Sequence, residues 1–287
     1  MNRRQFAAKL AAVTGLAALP DALGLQAPPP EQSFDVGLEL YSLRRELAAD
    51  LPGTLMRVQE MGFREVEVPG YYGLTVAEFR KALDRAALRA TALVAQWDVL
   101  EKGISSVAND LDILGAGWAI LPWIPHGDRF ERSDTLEAAK RMNAWAADLE
   151  TAGYHFAYHP HGYEFQPAPE GTLFDVLASK TDATVSFEMD TFWIAWPGQD
   201  CVRLLNKYPH RFRLLHLKDL KKGAVGNLSG AAPEEDSVAL GNGAIAWADV
   251  LSAARRQGCE KYYIEDESPD AAKQIPRSLA FLGSLRF

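Results

Sequence analysis

The sequence predicts a single (β/α)8 barrel, and three observations carry that expectation. From residue 35 onward, short β-branched or aromatic runs alternate with helical patterns about eight times. The units fill about 250 residues, the size and rhythm of one such barrel. Four of the later runs end in ionisable residues, where a barrel collects its chemistry. The alternative is a doubly wound open sheet, but no glycine-rich phosphate fingerprint follows the first run. With 287 residues, 48% hydrophobic and 10% aromatic, the chain can bury a large core in one domain.

The elements follow in order. VGLELYSL at 36–43 reads as the first strand, and the helix after it carries Leu51, Leu55, Val58 and Met61 at helical spacing. REVEVPG at 64–70 is the second strand, ended by proline and glycine. The next helix starts near Thr75, which forms a capping-box pattern with Glu78, and it buries Phe79, Leu83 and Leu88. ATALVAQW at 90–97 is the third strand, residues 104–115 a short helix and WAILPW at 118–123 the fourth strand. A long helix over 133–152 is expected to be capped by Ser133 or Asp134.

The fifth strand is YHFAYHPH at 154–161, followed by a helix over 173–179. ATVSFEMD at 183–190 is the sixth strand, residues 201–208 a helix and FRLLHLKD at 212–219 the seventh strand. The stretch 220–242, rich in Gly, Ala, Pro and acidic residues, reads as an active-site loop. A helix over 247–257, YYIEDE at 262–267 and a closing helix over 269–282 complete the barrel.

The N-terminus stands apart from this pattern. Arg3, Arg4, Gln5 and Phe6, then Lys9 and a weakly apolar run, look like a twin-arginine export signal over residues 1–27. The run is too short and interrupted to span a membrane. A proline-rich spacer at 28–33 then leads to a catalytic domain at 34–287. This reading places the mature protein in the periplasm with no membrane span. A twin-arginine substrate crosses the membrane folded, so a metal could be loaded in the cytoplasm.

The net charge of -8 argues against nucleic acid as a partner. The basic residues beyond the N-terminus cluster only as the pairs Arg44-Arg45, Lys221-Lys222 and Arg255-Arg256. Cys201 and Cys259 belong to no metal-binding spacing and are expected as buried thiols rather than a disulfide.

The strand ends hold the chemistry. His159 and His161 occupy alternate positions in an extended run, so they project to one side and can share a metal ion or a substrate. Glu164 follows, offering an oxygen ligand or a general base. Glu67 ends the second strand, and the pairs Glu188/Asp190, His216/Lys218 and Glu265/Glu267 each point one way at the ends of the sixth, seventh and eighth strands. A barrel interior cannot carry so many ionisable groups unpaired, because each buried charge costs several kcal/mol without a partner. One divalent metal ion resolves the conflict, and imidazole with carboxylate ligands suits Mn, Co, Fe or Zn. The alternative is a ring of salt bridges at the barrel mouth, with Lys218 and Arg44 as the cations.

Several of these motifs carry a family resemblance. YHPHGYEF, FEMDTFW at 187–193, HLKD at 216–219, ALGNGAIAWADVL at 239–251, YIEDES at 263–268 and GFREVEVPGYYG at 62–73 resemble the sugar phosphate isomerase/epimerase family. These are xylose isomerase-like barrels of the AP endonuclease 2 superfamily, and the similarity covers about residues 34–284. The resemblance implies that Asp190, His216 and Glu265 are metal ligands. The fourth ligand, a glutamate in the epimerases, matches a histidine here, with His159 as first choice and His161 as second. Of the two metal-bound glutamates that epimerases use as paired proton carriers, this chain keeps Glu265, so Glu164 or Glu188 would have to substitute for the other.

The implied reaction begins with loss of a proton from the carbon α to a carbonyl. Returning the proton gives isomerisation or epimerisation, and expelling a β-substituent gives elimination, as in a 3-keto-glycoside lyase or an inosose dehydratase. Lys218 could neutralise a developing oxyanion or protonate a leaving group. Tyr71, Tyr72, Trp97, Trp123, Trp193 and Trp196 fall at or after strand ends, where sugar rings stack on aromatic faces. Trp193, Tyr71 and Trp123, with Glu67 and His161, are the expected substrate contacts. Export makes a free sugar or keto-glycoside the expected partner rather than a sugar phosphate. A different class stays open, an exported barrel that binds sugar without turning it over, and so does a homodimer, since barrels of this family often pair.

Overall fold

The computed structural model of the chain describes residues 35–287. The expected export signal and the spacer at 28–33 lie outside the described residues. Eight parallel strands close into a barrel: β1 (Gly37–Glu39), β2 (Glu65–Val68), β3 (Arg89–Val94), β4 (Trp118–Leu121), β5 (His155–Tyr158), β6 (Val185–Asp190), β7 (Phe212–Leu217) and β8 (Lys261–Ile264). Each strand pairs with its neighbours in sequence, and Leu38 opposite Ile264 joins β1 to β8. The crossovers are built on α1 (Leu51–Glu60), α2 (Val76–Arg85), α3 (Ser105–Leu114), α4 (Arg132–Thr151), α5 (Leu173–Lys180), α6 (Cys201–Lys207) and α7 (Trp247–Arg256), with α8 (Ala271–Ser284) closing the ring. No helix among the described residues is long and apolar enough to cross a membrane.

Side chains alternate across each strand, and the alternation separates two cores. Ala119 and Leu121 of β4 join the large cluster under the helices, whereas Trp118 and Ile120 join Ala92, Ala157, Leu214 and Tyr263 in a separate cluster. The second set faces the barrel axis. Followed toward the carboxyl ends, the same faces change character. Ala157 leads to His159 and His161, Leu214 to His216 and Lys218, and Tyr263 to Glu265 and Glu267. The barrel interior is apolar at the level of Ala92, Ala157, Leu214 and Tyr263 and ionisable at its mouth.

The strands are shorter than the sequence predicts. The Glu39 side chain accepts a hydrogen bond from the Tyr41 amide, so the chain turns into a 3-10 segment at Leu40–Leu43 instead of continuing β1. The fifth ladder makes its last bond from the His159 amide to Leu121 and then meets Pro160, which has no amide to donate. Thr75 and Glu78 form the expected capping box on α2. On α4 the cap is Glu131 rather than Ser133 or Asp134, and Asp134 serves as its reciprocal partner, accepting from the Glu131 amide. Trp97 opens a short helix and packs edge-on against Trp145, 4.8 Å between centroids, so it belongs to the helical layer. Cys201 and Cys259 are free thiols.

The loop after β7 is ordered by one buried carboxylate. Asp219 accepts from the amides of Gly241, Gly243 and Ile245 and from the Trp247 indole, at 2.9 to 3.2 Å. Gly243 packs so closely that a Cβ there would stand 2.1 Å from Oδ1 of Asp219. Asp219–Leu220 pairs antiparallel with Ser237–Val238, and Glu234 binds both Arg44 and Arg45. The segment is therefore tied to the start of the barrel as well as to its own strand.

Candidate metal centre and active site

A cavity of about 300 Å³ opens at the carboxyl ends of the strands. Its wall is the inward set continued by alternate positions: Glu39 and Tyr41 after β1, Glu67 and Pro69 from β2, Val94 and Gln96 from β3, Ile120 and Pro122 from β4. His159, His161, His216, Glu265, Glu267 and Trp123 complete it. Its acidic residues are glutamates, and among the described residues neither lysine nor arginine lines the wall.

Four buried residues on four consecutive strand ends, His159, Asp190, His216 and Glu265, each offer a ligand atom within 4.8 Å of the others. His216 Nδ1 lies 3.0 Å from Glu265 Oε2, and His159 Nε2 lies 3.8 Å from Asp190 Oδ2. The other oxygen of Asp190 caps the turn after β6, accepting from the amides of Phe192 and Trp193. Its Oδ2 is buried without a hydrogen-bond partner. Glu39, Glu67 and His216 form a second such group, sharing the same histidine.

The electrostatics show why this cluster suits a cation. Burial, with the neighbouring Glu67 adding to it, drives Glu39 well above the usual carboxylate range and Glu188 up to about 8. Burial likewise raises Asp190. Burial also opposes the charge on His216, but Glu188 and Glu67 outweigh it and raise that imidazole well above its ordinary value. Glu265 goes the other way: burial would raise it, yet Lys218 and His216 hold it ionised. His159 is pushed well below its ordinary value by burial and by His216, and His161 to about 4 by burial and by Lys218. Both therefore keep a free lone pair at neutral pH. Neutral imidazoles beside crowded carboxylates with open oxygens are a donor set that fits a divalent ion.

The match to known proteins agrees with this fold. A family model described as a xylose isomerase-like TIM barrel matches residues 55–285. The chain belongs to this family. Among solved barrels, a sugar phosphate isomerase/epimerase from Parabacteroides distasonis ATCC 8503 superposes with a TM-score of 0.71 and 25% identity, over 87% of this chain and 93% of that one. The IolI protein, solved with a bound zinc atom, gives a TM-score of 0.66 at 14% identity over 88% and 96%. An inosose dehydratase from Clostridium beijerinckii (strain ATCC 51743 / NCIMB 8052) is 25% identical over 56% of this chain and 60% of its own length. The chain thus spans about 60% of the length of that curated relative.

Within this xylose isomerase-like barrel, the expected residues fall into three groups. His159, His161, His216, Glu265, Glu67 and Trp123 share the cavity wall. Asp190, Lys218 and Trp193 are buried off the wall: Lys218 Nζ bonds Glu267 at 2.6 Å, lies 3.5 Å from Glu265 and sits over the Trp193 ring, which packs on His161. Burial would lower the Lys218 ammonium, but Glu265 and Glu267 outweigh it and keep it charged.

Three further expected residues also do not line the cavity. Tyr71 donates to Asp110 and packs on Phe79, so it holds α2 to α3. Glu164 is turned under its own loop, accepting from the Tyr158 hydroxyl and the His161 amide. Glycine at 162 permits that turn, with φ of +94° and a would-be Cβ 2.9 Å from the Trp193 carbonyl. Glu188 is fully buried behind the two imidazoles. The sequence reading missed Glu39 and Gln96 as wall residues. An acidic residue inside the apolar run VGLEL, 2% exposed in the fold, was the available signal for the first.

Proposed function

We propose that this chain is a divalent-metal-dependent enzyme that removes a proton from the carbon α to the carbonyl of an uncharged sugar, leading to isomerisation or epimerisation. The four ligand atoms within 4.8 Å carry the reading, three from residues of the cavity wall and the fourth from the fully buried Asp190. His159, Asp190, His216 and Glu265 would hold the ion, whose chemistry is to polarise the carbonyl and the adjacent hydroxyl. A zinc-bearing fold neighbour supports such a site, and Mn, Co or Fe suit the same donors.

The protein side chains divide the remaining work. Glu265 is ionised by Lys218 and His216 and faces the cavity, so it accepts the α-proton. Glu39 Oε2 and both oxygens of Glu67 have no hydrogen-bond partner and take substrate hydroxyls. Trp123 and His161 present ring faces and edges to the sugar. The wall offers no lysine or arginine to pair with a phosphate group, which favours a free sugar or keto-glycoside. Delivery to the periplasm by the N-terminal signal fits such a substrate, and a homodimer is the proposed assembly.

Elimination is the second reading, favoured by one observation: the fifth strand contributes His159 where a second metal-bound carboxylate would be needed for proton return on the opposite face. Lys218, paired with Glu267 at the rim, would then assist the leaving group. The limited similarity to an inosose dehydratase points the same way.

The test is elemental analysis of the purified protein and of His216→Ala, followed by ketoses and 3-keto-glycosides in D2O. About one equivalent of metal, lost in the variant, with metal-dependent deuterium uptake at the α-carbon is expected. Absence of metal after incubation with each ion would defeat the mechanism. Sugar binding retained by Glu265→Ala with no exchange in the parent protein would support a binding barrel instead.

A further inference from the structure

Glu188 lies two residues before Asp190 on the inward face of β6, yet it is fully buried and forms no part of the cavity wall. A substrate in the cavity does not reach it. Its Oε2 is 3.1 Å from His159 Nδ1 and 3.3 Å from His216 Nε2. The opposite nitrogens of the two rings look the other way, His159 Nε2 toward Asp190 and His216 Nδ1 toward Glu265. Each imidazole therefore presents one nitrogen to the four-residue cluster and the other to the same carboxylate oxygen, through a hydrogen bond for His159 and an ion-pair contact for His216.

Metal binding displaces the proton that the surrounding carboxylates otherwise hold on His216, and an imidazole that gives one nitrogen's lone pair to the ion keeps its proton on the other. Both rings are buried, so each of those protons needs an acceptor inside the protein. We propose that Glu188 is a positioning residue that fixes opposite tautomers in the two histidines, His159 protonated at Nδ1 and His216 at Nε2, so that both lone pairs face the metal site. The inference rests on the metal-dependent reading given above. It removes Glu188 from the set of proton carriers.

Glu67 also approaches His216 Nε2, at 3.3 Å. It touches one ring rather than two, and it lines the cavity with both oxygens open, so substrate competes for it. The two glutamates therefore separate experimentally. Removing an orienting carboxylate behind a histidine ligand typically costs about 10–100-fold in metal affinity.

The test uses the full chain with Co2+ as the probe, measuring affinity by chelator competition together with the visible spectrum. The parent, Glu188→Ala, Glu188→Gln and Glu67→Gln proteins are compared after circular dichroism confirms folding. Glu188→Ala is expected to bind Co2+ about 10–100-fold more weakly with an altered spectrum. Glu188→Gln should recover part of the loss through its amide oxygen, and Glu67→Gln should stay close to the parent. Nitrogen-15 histidine spectra of the Zn2+-loaded parent supply a readout that needs no variant, with the proton expected on Nδ1 of His159 and Nε2 of His216. The reversed tautomers, or unchanged Co2+ affinity in Glu188→Ala, would overturn the assignment. Absence of Co2+ binding by the parent would overturn the metal reading itself, which is a separate and visible failure.

Discussion

Nδ1 of His216 lies 3.0 Å from Oε2 of Glu265, joining the ends of β7 and β8. Both residues face the cavity, and Lys218 stands 3.5 Å behind the same oxygen. A carboxylate held ionised against a substrate cavity is equipped to take a proton. Glu265→Gln should therefore reduce α-proton exchange by about 10²–10⁴-fold, the usual range for a lost general base. Single-turnover deuterium uptake measures it, and an unchanged rate would remove Glu265 from that role.

The Lys218–Glu267 pair is buried on the lysine side and partly open on the other. Lys218 also lies near Glu265 and Asp190, so Lys218→Met strands several carboxylates without a cation. The expected loss is about 3–5 kcal/mol in urea unfolding of the metal-free protein. Adding Glu267→Gln should restore part of it, because one of the stranded charges is then gone. Strict additivity of the two losses would show that the residues are uncoupled.

Glu164 gives a pH dependence away from the metal ligands. Burial raises its carboxyl from an ordinary 4.5 to about 7. A proton bound more tightly in the folded state favours folding below pH 4.5, and that advantage is lost as pH climbs through about 7. At about 1.4 kcal/mol per unit, the contribution is of order 3 kcal/mol. Glu164→Gln should flatten the stability profile across this window and raise relative stability at pH 8. A profile as steep as that of the parent would assign the slope to other groups.

Asp219 holds the loop at 239–247 rather than the substrate. Asp219→Ala would leave three amides and an indole without their acceptor, a loss of about 1–3 kcal/mol for each that stays buried. Limited proteolysis should then cut within 220–247 while metal affinity changes by less than about threefold, since Asp219 lies outside the cluster. Cleavage unchanged from the parent would contradict the anchoring role.

Much of the site was legible because a strand has a period of two. Once His216 and Glu265 were placed at strand ends, Lys218 and Glu267 followed on the same face, and the structure keeps them together. His159 and His161 still share the cavity although β5 ends at Tyr158, since the alternation outlasts the hydrogen-bonded ladder. Glu39 was hidden because the apolar run around it reads as unbroken strand. Tyr71 misled for the opposite reason: an aromatic residue after a strand end carries no mark of whether it faces a cavity or, as here, an aspartate on the neighbouring helix.

The eight-fold alternation, the inward faces and the residue types at the mouth are legible along one chain, because they depend on spacing alone. Which of those residues meet depends on how the strands assemble. Asp190 stands opposite His216 only after the register between β6 and β7 shifts at Phe187/Glu188, and no local pattern encodes that shift. The same geometry turns Glu164 under its loop and sets Glu188 behind two imidazoles while Glu67 faces the cavity. Three glutamates of equal chemistry thus receive different environments, because burial and contact are properties of strands brought together, not of any one strand.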